Sequence, residues 1–409
     1  MGEFQKLKLG DICDFKAGNA FKKDLQGQHS GQLPFIKVSD MNLAGNEIFI
    51  TRAANWVSED DARKGRYTIH QPGSVVFAKI GIALTYNRRR ILRCPTIVDN
   101  NMMAARPNTQ RVNERYFYYL LSIIDFNDIA SGSALPYLTQ KDLSALDVRL
   151  PALSEQEAIS TLLGAIDDKI ELNRRINETL ESMARALFKD WFVDFGPTRA
   201  KKEGREAYLS PEIWDLFPAD LDDEAKPTGW EMGCLKNLVL LQRGFDLPKS
   251  KRTEGRFPVI AASGFNGNHC EAKVVGPGVV TGRSGVIGNV FFIHDDFWPL
   301  NTSLWVKEYP NSSPAHAYFL LQTLDFASYN SGSAVPTLNR NHVHGLPMPI
   351  PPKALIEAYD DMVAPLLEQQ RANAAENDTL SKTRDVLLPK LMSGEIRLRD
   401  AEKQVEAVA

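Results

Sequence analysis

Apolar and polar positions along this chain follow two different patterns, and each pattern occurs twice. In residues 1–150 and 230–350, short apolar runs are separated by turn residues, which is typical of β-strands. Segments 73–78, 278–281 and 290–293 are the clearest predicted strands. Short helices are predicted over 115–124 and 315–324.

A long helix is predicted after each β-rich stretch. From Glu155 to Phe192 there is no proline and one glycine, and apolar residues recur in steps of three and four. At roughly 1.5 Å per residue, a helix of about 38 residues is near 57 Å long. Ser154 is its predicted N-cap, with Glu157 as the capping-box partner. The same spacing recurs from Tyr359 to Leu391. Because neither apolar seam is continuous, we expect the two helices to pack on each other.

The chain is internally duplicated. Residues 117–151 align without a gap to 317–351, with 13 identities in 35 positions. Upstream the offset grows, because the first copy carries extra residues between Met41 and Gln71. Length variation confined to one region is typical of variable loops on a common scaffold.

These patterns predict an α+β protein with a pseudo-twofold internal repeat. The predicted order is a first module (1–152), a first helix (153–195), a polar connector (196–229), a second module (230–351), a second helix (352–398) and a C-terminal tail (399–409). A compact connector would make the second helix antiparallel to the first.

Both copies place asparagine at the same two seam positions, Asn173 and Asn177 in one helix and Asn373 and Asn377 in the other. These side chains either point to solvent or lie inside the helix pair, where buried amides would define the register. The repetition favours the second interpretation. Asn173 would then meet Asn373, and Asn177 would lie near Gln370.

Charge is distributed in step with the repeat. The whole chain has a net charge of −3, but residues 1–150 carry +5 and 231–350 carry +2, whereas 151–230 carry −7 and 351–409 carry −3. The cysteines form no CxxC pair, the N-terminus has no apolar signal segment, and no apolar run is long enough to span a bilayer. We therefore expect a cytoplasmic protein with no membrane contact.

Motifs for catalysis are absent from the sequence. It contains no GxxxxGK[ST] phosphate loop, no HExxH and no GxSxG. His342 and His344 lack a neighbouring cysteine or acidic residue, so an ordinary loop role is favoured and no metal site is predicted.

Two loops that recur in both modules are candidate DNA contacts. Lys79 and Arg283 each stand two residues before a glycine, where a cation can reach a phosphate or a guanine edge, although an exposed turn is the simpler interpretation. Ser133 and Ser333 lie in a matched Ser-Gly-Ser-Ala segment, which suits either phosphate binding or a packed turn. The other candidate DNA-binding residues are Lys16, Lys22, Lys23, Lys37, Tyr86, Asn87, Arg88, Arg89, Arg90, Arg243, Lys249, Lys251, Arg252, Ser284 and Arg340.

The chain resembles the specificity subunit of type I restriction-modification systems over about residues 4–398. The likeness lies in the order of module, helix, module and helix, and in four segments. These segments are Leu172-Asn173-Arg174, Ala186-Leu187-Phe188-Lys189-Asp190-Trp191-Phe192, Gly229-Trp230-Glu231, and Leu387-Leu388-Pro389-Lys390-Leu391-Met392-Ser393-Gly394-Glu395-Ile396.

The resemblance implies that the chain has no catalytic site and that each module is a target-recognition domain for half of a bipartite site in double-stranded DNA. The coiled-coil helices would set the gap and dock two methyltransferase subunits, and ATP-dependent restriction subunits would join for cleavage. S-adenosylmethionine, ATP and magnesium would belong to those partners, and no cofactor to this chain. The implied partner contacts are Asn173, Arg174, Phe188, Trp191 and Phe192, although the aromatic residues would equally suit the core of the helix pair.

The sequence departs from the family pattern in two places, and two alternative functions remain open. Leu84 stands opposite Gly288 and Ile80 opposite Ser284, so the two candidate loops are expected to differ in shape. Residues 373–375 lack the two arginines found at 174–175, which leaves the symmetry of partner docking open. The alternative functions are a protein-interaction scaffold that binds no nucleic acid and an enzyme in its own right. The charge pattern argues against the scaffold, and the missing motifs argue against the enzyme.

Overall fold

The computed structural model describes residues 4–132, 134–332 and 334–406. The chain divides into two compact units. Unit 1 combines Met1–Arg175 with Asn373–Ala409, and unit 2 is Ile176–Ala372. Each unit therefore contains one β-rich module together with part of both long helices.

Unit 1 is built on a five-stranded sheet in the order β2-β9-β6-β7-β4. A second sheet has the order β5-β3-β8, and β1 pairs with β10. The strands are β1 (Gln5–Lys8), β2 (Cys13–Ala17), β3 (Leu33–Ile36), β4 (Phe49–Ile50), β5 (Trp56–Val57), β6 (Val75–Ala78), β7 (Arg90–Leu92), β8 (Ile97–Val98), β9 (Met102–Pro107) and β10 (Asp147–Leu150).

Unit 2 has a four-stranded sheet in the order β12-β18-β15-β16. Its other sheets are β14-β13-β17 and β11-β19. The strands are β11 (Glu231–Cys234), β12 (Leu240–Arg243), β13 (Phe257–Ala261), β14 (Gly264–His269), β15 (Gly278–Gly282), β16 (Val290–Ile293), β17 (Trp298–Pro299), β18 (Ser303–Glu308) and β19 (Pro347–Ile350).

The strand order confirms the duplication. The order β2-β9-β6-β7 corresponds to β12-β18-β15-β16, and the parallel pair β3-β8 corresponds to β13-β17. The segment between Met41 and Gln71 contains β4, β5 and a helix, α1 (Glu59–Lys64). Strand β5 pairs with β3 as β14 pairs with β13, whereas β4 is an added strand at the edge of the large sheet and leaves the shared order unchanged.

Short helices complete each unit. The predicted helices over 115–124 and 315–324 are observed with nearly the same bounds, as α3 and α9. Each begins at a side-chain cap, where Asn113 Oδ1 accepts from Arg115 N and Ser313 Oγ accepts from His316 N. The short helices are α2 (Ile82–Thr85), α3 (Glu114–Ile123), α4 (Gln140–Ser144), α6 (Gly196–Lys202), α7 (Pro211–Trp214), α8 (Leu235–Leu238), α9 (Pro314–Gln322), α10 (Arg340–His344) and α12 (Leu398–Glu406).

The long helices are α5 (Leu153–Phe188) and α11 (Lys353–Ser393). Helix α5 begins one residue before the predicted cap, so the N-cap prediction for Ser154 was wrong and Ser154 lies in the first turn. A π-helical turn, Lys189–Val193, extends α5 to the predicted end. Most of the predicted tail is helix α12, whose Ala401 is fully buried because it packs on the core of unit 1.

The two long helices pair antiparallel within each unit, as predicted. In unit 1, Asp167 contacts Arg384, and Asn173, further along α5, contacts Asn377, earlier in α11. In unit 2, Asn177 Nδ2 donates to the carbonyl oxygen of Gln370 at 3.2 Å, and Gln370 Nε2 donates to the carbonyl oxygen of Asn177 at 2.8 Å. These reciprocal bonds confirm the predicted contact between Asn177 and Gln370.

Asn173 and Asn373 both lie inside the helix pair of unit 1, with 1% and 5% of their surfaces exposed. The described hydrogen bonds of Asn173 run to Asn377 Oδ1 at 3.0 Å and to Glu376 Oε2 at 2.6 Å. The seam interpretation of these asparagines is therefore confirmed. A buried amide that is hydrogen-bonded across the pair disfavours any shift of one helix along the other.

One main hydrophobic core in each unit joins the module to the helices. In unit 1, Leu163 and Leu387 pack with Phe117 and Leu121 of α3. In unit 2, Phe188 packs with Phe319 of α9 and with Tyr359. Because the helices bury their apolar faces against the modules, each module is held firmly on its part of the helix pair. None of the helices among the described residues combines the length and apolar character needed to cross a membrane.

Candidate nucleic-acid interface

The two candidate loops of unit 1 are hydrogen-bonded to each other. Lys79 follows β6, and its carbonyl oxygen accepts from Leu138 N at 2.8 Å. Two residues later, Gly81 N donates to the carbonyl oxygen of Pro136 at 2.8 Å. Gly81 has a φ of 78°, which favours glycine over other residues. The loop cation and the segment that follows residue 133 therefore lie side by side.

Unit 2 repeats this arrangement. The carbonyl oxygen of Arg283 accepts from Leu338 N at 2.8 Å, and Gly285 N donates to the carbonyl oxygen of Pro336 at 2.9 Å. Gly285 also has a positive φ, of 86°. Tertiary structure thus brings both candidate loops together in each unit. Ser133 and Ser333, predicted as phosphate contacts, lie outside the described residues.

The two loop pairs differ in shape, as the sequence predicted. In unit 1, Leu84 is buried and lies in the short helix α2. Its counterpart Gly288 has a φ of 92° and lies outside the helices and strands of unit 2. A buried leucine anchors the first loop to the core, whereas the second loop follows a path that glycine allows. The two surfaces can therefore contact different groups.

Arg283 is held in a defined position. Its Nη1 donates to the carbonyl oxygen of Asn301 at 3.1 Å, and the side chain is half-buried. Burial lowers the pKa of Arg283, and the nearby positive charge of Arg243 lowers it further. Two candidate cations of unit 2 are therefore close enough to repel each other. A bound phosphate would relieve that repulsion.

The Tyr86–Arg90 cluster is mostly structural, which corrects the sequence prediction. Arg89 is 3% exposed, and its guanidinium donates to the carbonyl oxygen of Ile124 at 2.8 Å and stacks on the ring of Phe126 at 3.6 Å. Burial lowers the pKa of Arg89 to about 9, so the group remains charged at neutral pH. Asn87 Oδ1 accepts hydrogen bonds from Arg89 Nη1 and from Phe126 N, so Asn87 also has a structural role.

Within this cluster, Tyr86 and Arg88 are exposed. Arg88 lies over the ring of Tyr86 at 4.7 Å and hydrogen-bonds to Asn42. Arg90 is half-buried and donates to the carbonyl oxygen of Met41 at 3.0 Å. Burial lowers the pKa of Arg90. The surface available to DNA is therefore smaller than three consecutive arginines suggest.

Replacing Arg89 by alanine is expected to lower the free energy of unfolding by about 2 kcal/mol. The substitution removes a buried, charge-assisted hydrogen bond and a stacking contact. Urea unfolding measures the change, and Arg88→Ala is the exposed control, which should leave stability nearly unchanged. If Arg89→Ala kept wild-type stability but bound DNA more weakly, Arg89 would be a DNA contact, as the sequence predicted.

The remaining candidate cations differ in exposure. Lys37 is half-buried, and its Nζ donates to Gln26 Oε1 at 2.6 Å, so it is partly engaged within unit 1. Arg252 is half-buried and donates to the carbonyl oxygen of Asn266. Ser284 and Lys79 are half-buried. The candidates that are exposed are Lys16, Lys22, Lys23, Arg243, Lys249, Lys251 and Arg340.

The aromatic residues predicted as partner contacts lie in the core of unit 2. Phe188, Trp191 and Phe192 are 1%, 0% and 8% exposed. Trp191 packs edge-on against Phe217, which the connector supplies, with ring centroids 5.1 Å apart. Burial therefore supports the core interpretation of these aromatics, because at most 8% of each side chain's residue surface is exposed to a partner.

The polar partner candidates lie on α5 in unit 1. Asn173 is buried within the helix pair, so its predicted role in docking is wrong. Arg174 keeps 22% of its side chain exposed and contacts Glu171 at 2.9 Å. Of the predicted partner contacts, Arg174 is the one with appreciable exposed surface among the described residues.

Unit 1 contains a buried ionic cluster that the sequence patterns did not predict. Asp167 is 1% exposed, and its carboxylate accepts from Tyr119 and forms a 3.0 Å ion pair with Arg384. The sequence does contain one sign of this cluster, because Arg384 occupies a position in the helix seam, where most residues are apolar. Its partner could not be identified, because the two residues are 217 positions apart.

Histidine and cysteine side chains take ordinary roles. His344 Nε2 accepts from Leu241 N at 2.9 Å, which agrees with a structural role. The four cysteines are free. In the described part of the chain, no group of three or more histidine, cysteine, aspartate or glutamate residues is placed to hold a metal ion.

Comparison with known proteins identifies the family. The family model described as type I restriction modification DNA specificity domain matches residues 1–182 and 227–357. The MjaIX specificity subunit of a type I restriction enzyme from Methanocaldococcus jannaschii is 25% identical, over 96% of this chain and 93% of that protein. The HindI specificity subunit from Haemophilus influenzae is 26% identical, over 73% of this chain and 81% of that protein.

A solved structure shares the fold. The S subunit of a type I restriction-modification system from M. genitalium matches with a TM-score of 0.59 and 16% identity, over 95% of this chain and 96% of that one. Each module in this chain is matched by the family model, and the two units repeat one strand order. The protein therefore belongs to the type I restriction-modification family of DNA specificity proteins.

Proposed function

We propose that each unit recognises one half of a bipartite DNA sequence through its pair of loops. The observation that carries this proposal is the repeated arrangement in which a loop cation, Lys79 or Arg283, stands beside a second loop that is hydrogen-bonded to it. Two similar contact surfaces in one chain suit two separated sites on one duplex. The basic excess of both modules supports the same conclusion.

We propose that the paired helices set the distance between the half-sites and dock two methyltransferase subunits. The acidic excess of these segments would repel phosphate and favours protein contacts. ATP-dependent restriction subunits would join the complex for cleavage. S-adenosylmethionine, ATP and magnesium would be bound by those partners, and this chain would supply specificity without catalysis.

The test begins with the methylated positions in DNA from cells that carry this system, which define the split site. The chain, together with its methyltransferase partner, should then bind a duplex with that site at least about 1000-fold more tightly than a scrambled duplex, since about 10³ is the lower end of the usual ratio for specific binding. Binding should weaken steeply as salt rises.

A control duplex keeps both half-sites and changes the gap by five base pairs, which moves one half-site to the opposite face of the helix. We expect it to bind like scrambled DNA. Equal affinity for the split-site and scrambled duplexes would contradict the proposal and favour a scaffold without nucleic acid. Methylation by the isolated chain would contradict the non-catalytic role.

A further inference from the structure

Each unit exposes an aliphatic pair beside its loop cation. In unit 1, Ile82 is 74% and Leu135 57% exposed. In unit 2, Val286 is 41% and Val335 52% exposed. Single exposed aliphatic residues are common on protein surfaces. Exposed aliphatic pairs at corresponding positions in both copies indicate a shared role, because contact with water alone does not favour apolar side chains there.

The members of each pair flank the same backbone hydrogen bond. Ile82 follows Gly81, Leu135 precedes Pro136, and Gly81 N donates to the carbonyl oxygen of Pro136 at 2.8 Å. A Cβ atom built on Gly81 would lie 3.7 Å from Leu135 Cδ1, so the leucine side chain reaches over this glycine.

The same bond occurs in unit 2. Val286 follows Gly285, Val335 precedes Pro336, and Gly285 N donates to the carbonyl oxygen of Pro336 at 2.9 Å. The residues have diverged from isoleucine and leucine to valine, yet both positions remain branched, aliphatic and exposed. Because the residue types differ between the two units but stay aliphatic, we conclude that an apolar surface is needed beside the loop cation.

The neighbouring charges indicate what this surface contacts. Lys79 stands three residues before Ile82, and Arg283 three residues before Val286. An apolar patch beside a cation matches a nucleic-acid groove, where phosphates border the C–H and methyl surfaces of sugars and bases. Apolar patches that mark protein–protein contacts are usually larger and continuous.

We infer that the aliphatic pairs Ile82/Leu135 and Val286/Val335 contact the apolar surfaces of bases or sugars in a DNA groove, beside the phosphates that Lys79 and Arg283 neutralise. This inference rests on the proposed function and adds a contact without hydrogen bonds. Because both units retain the pair, it acts at both half-sites, while other loop residues distinguish their sequences.

The test uses the full chain with its methyltransferase partner and the split-site duplex. The double variants Ile82→Ser/Leu135→Ser and Val286→Ser/Val335→Ser should each weaken binding about tenfold, through the loss of buried apolar surface. The salt dependence should be unchanged, because no counterion is involved. Lys79→Ala should instead lower the slope of log K against log salt by about 0.9.

Matched controls are Ile123→Ser in unit 1 and Val275→Ser in unit 2, which replace exposed aliphatic residues (41% and 79%) that belong to neither loop of a pair. They should bind like the wild type, and all variants should keep the wild-type midpoint of urea unfolding. Wild-type affinity in both double variants would overturn the inference. So would loss of the methyltransferase complex in the absence of DNA, which would assign the pairs to protein docking. A failure of the proposed function would appear earlier, as wild-type protein that does not distinguish the duplexes.

Discussion

Replacing Arg384 by alanine is expected to destabilise the protein by about 3–5 kcal/mol, the usual cost of leaving a buried charge without its partner. Asp167 is 1% exposed, and its Oδ1 lies 3.0 Å from Arg384 Nη1. Tyr119 donates to the other carboxylate oxygen. Without Arg384, the carboxylate would keep its hydrogen bond from Tyr119 but lose its ion pair, and the positive charge of Arg115 would compensate it in part.

Urea unfolding measures this effect, and Arg185→Ala is the control. Arg185 forms an ion pair with Glu181 on the same long helix, at 3.2 Å, but 57% of its side chain is exposed. Removing an exposed pair should change stability by less than about 1 kcal/mol. Similar losses in the two variants would mean that the buried pair contributes no more than a surface pair.

The loss of stability in Arg384→Ala should depend on pH. Burial raises the pKa of Asp167, and Arg384 opposes that rise, so Arg384→Ala should raise the pKa further. A carboxyl whose folded pKa is above its unfolded value of about 4 destabilises the folded state as pH increases from the unfolded to the folded pKa. The difference between variant and wild type should therefore be full at neutral pH and shrink on acidification. A difference independent of pH would exclude Asp167 as its source.

The internal repeat suggests substitutions that should restore the stability lost in Arg384→Ala. The positions that correspond to Tyr119, Asp167 and Arg384 are occupied in unit 2 by the buried apolar residues Phe319, Leu367 and Ala184. The triple variant Tyr119→Phe/Asp167→Leu/Arg384→Ala should regain most of the stability, because replacing a whole buried ionic cluster by apolar residues is often neutral. A triple variant as unstable as Arg384→Ala would show that unit 1 cannot adopt the packing of unit 2.

Replacing Trp191 by alanine is the second large change, with an expected loss of about 3–5 kcal/mol. Trp191 is fully buried, and its ring lies within 6.2 Å of those of Phe192, Phe217 and Tyr359. The cavity left by the indole would remove contacts that join α5, the connector and α11 within unit 2.

The matched variants are Trp191→Phe, which retains most of the volume and should lose less, and Met183→Ala, whose side chain is 53% exposed. Unfolding by urea gives the stability, and gel filtration with the proposed methyltransferase partner gives the association. We expect Trp191→Phe to keep wild-type association. Normal stability combined with lost association would instead identify Trp191 as a partner contact.

The local patterns were sufficient to predict much of the fold. The apolar periodicity predicted both long helices, because a helix that packs on a module must place apolar residues on one face. The 200-residue offset predicted two modules of one design, and the strand orders agree. The extra segment between Met41 and Gln71 was located correctly, because aligning the two copies shows where one of them is longer.

Tertiary structure alone decided which polar residues are available to other molecules. Arg89 and Arg88 are neighbours in a basic run, yet one is buried on Phe126 and the other is exposed. A sequence shows charge but not the distant groups that compensate it, here the carbonyl oxygen of Ile124, 35 residues away.

The candidate interface depends on the same kind of long-range contact. Gly81 and Pro136 are joined by a hydrogen bond across more than 50 residues of chain, and Asp167 and Arg384 by an ion pair across 217. Periodicity is local, so the sequence by itself determined the helices, the repeat and the position of the insertion. Packing is not local, and only the folded chain decided which loops meet, which charges are buried and which apolar residues remain at the surface.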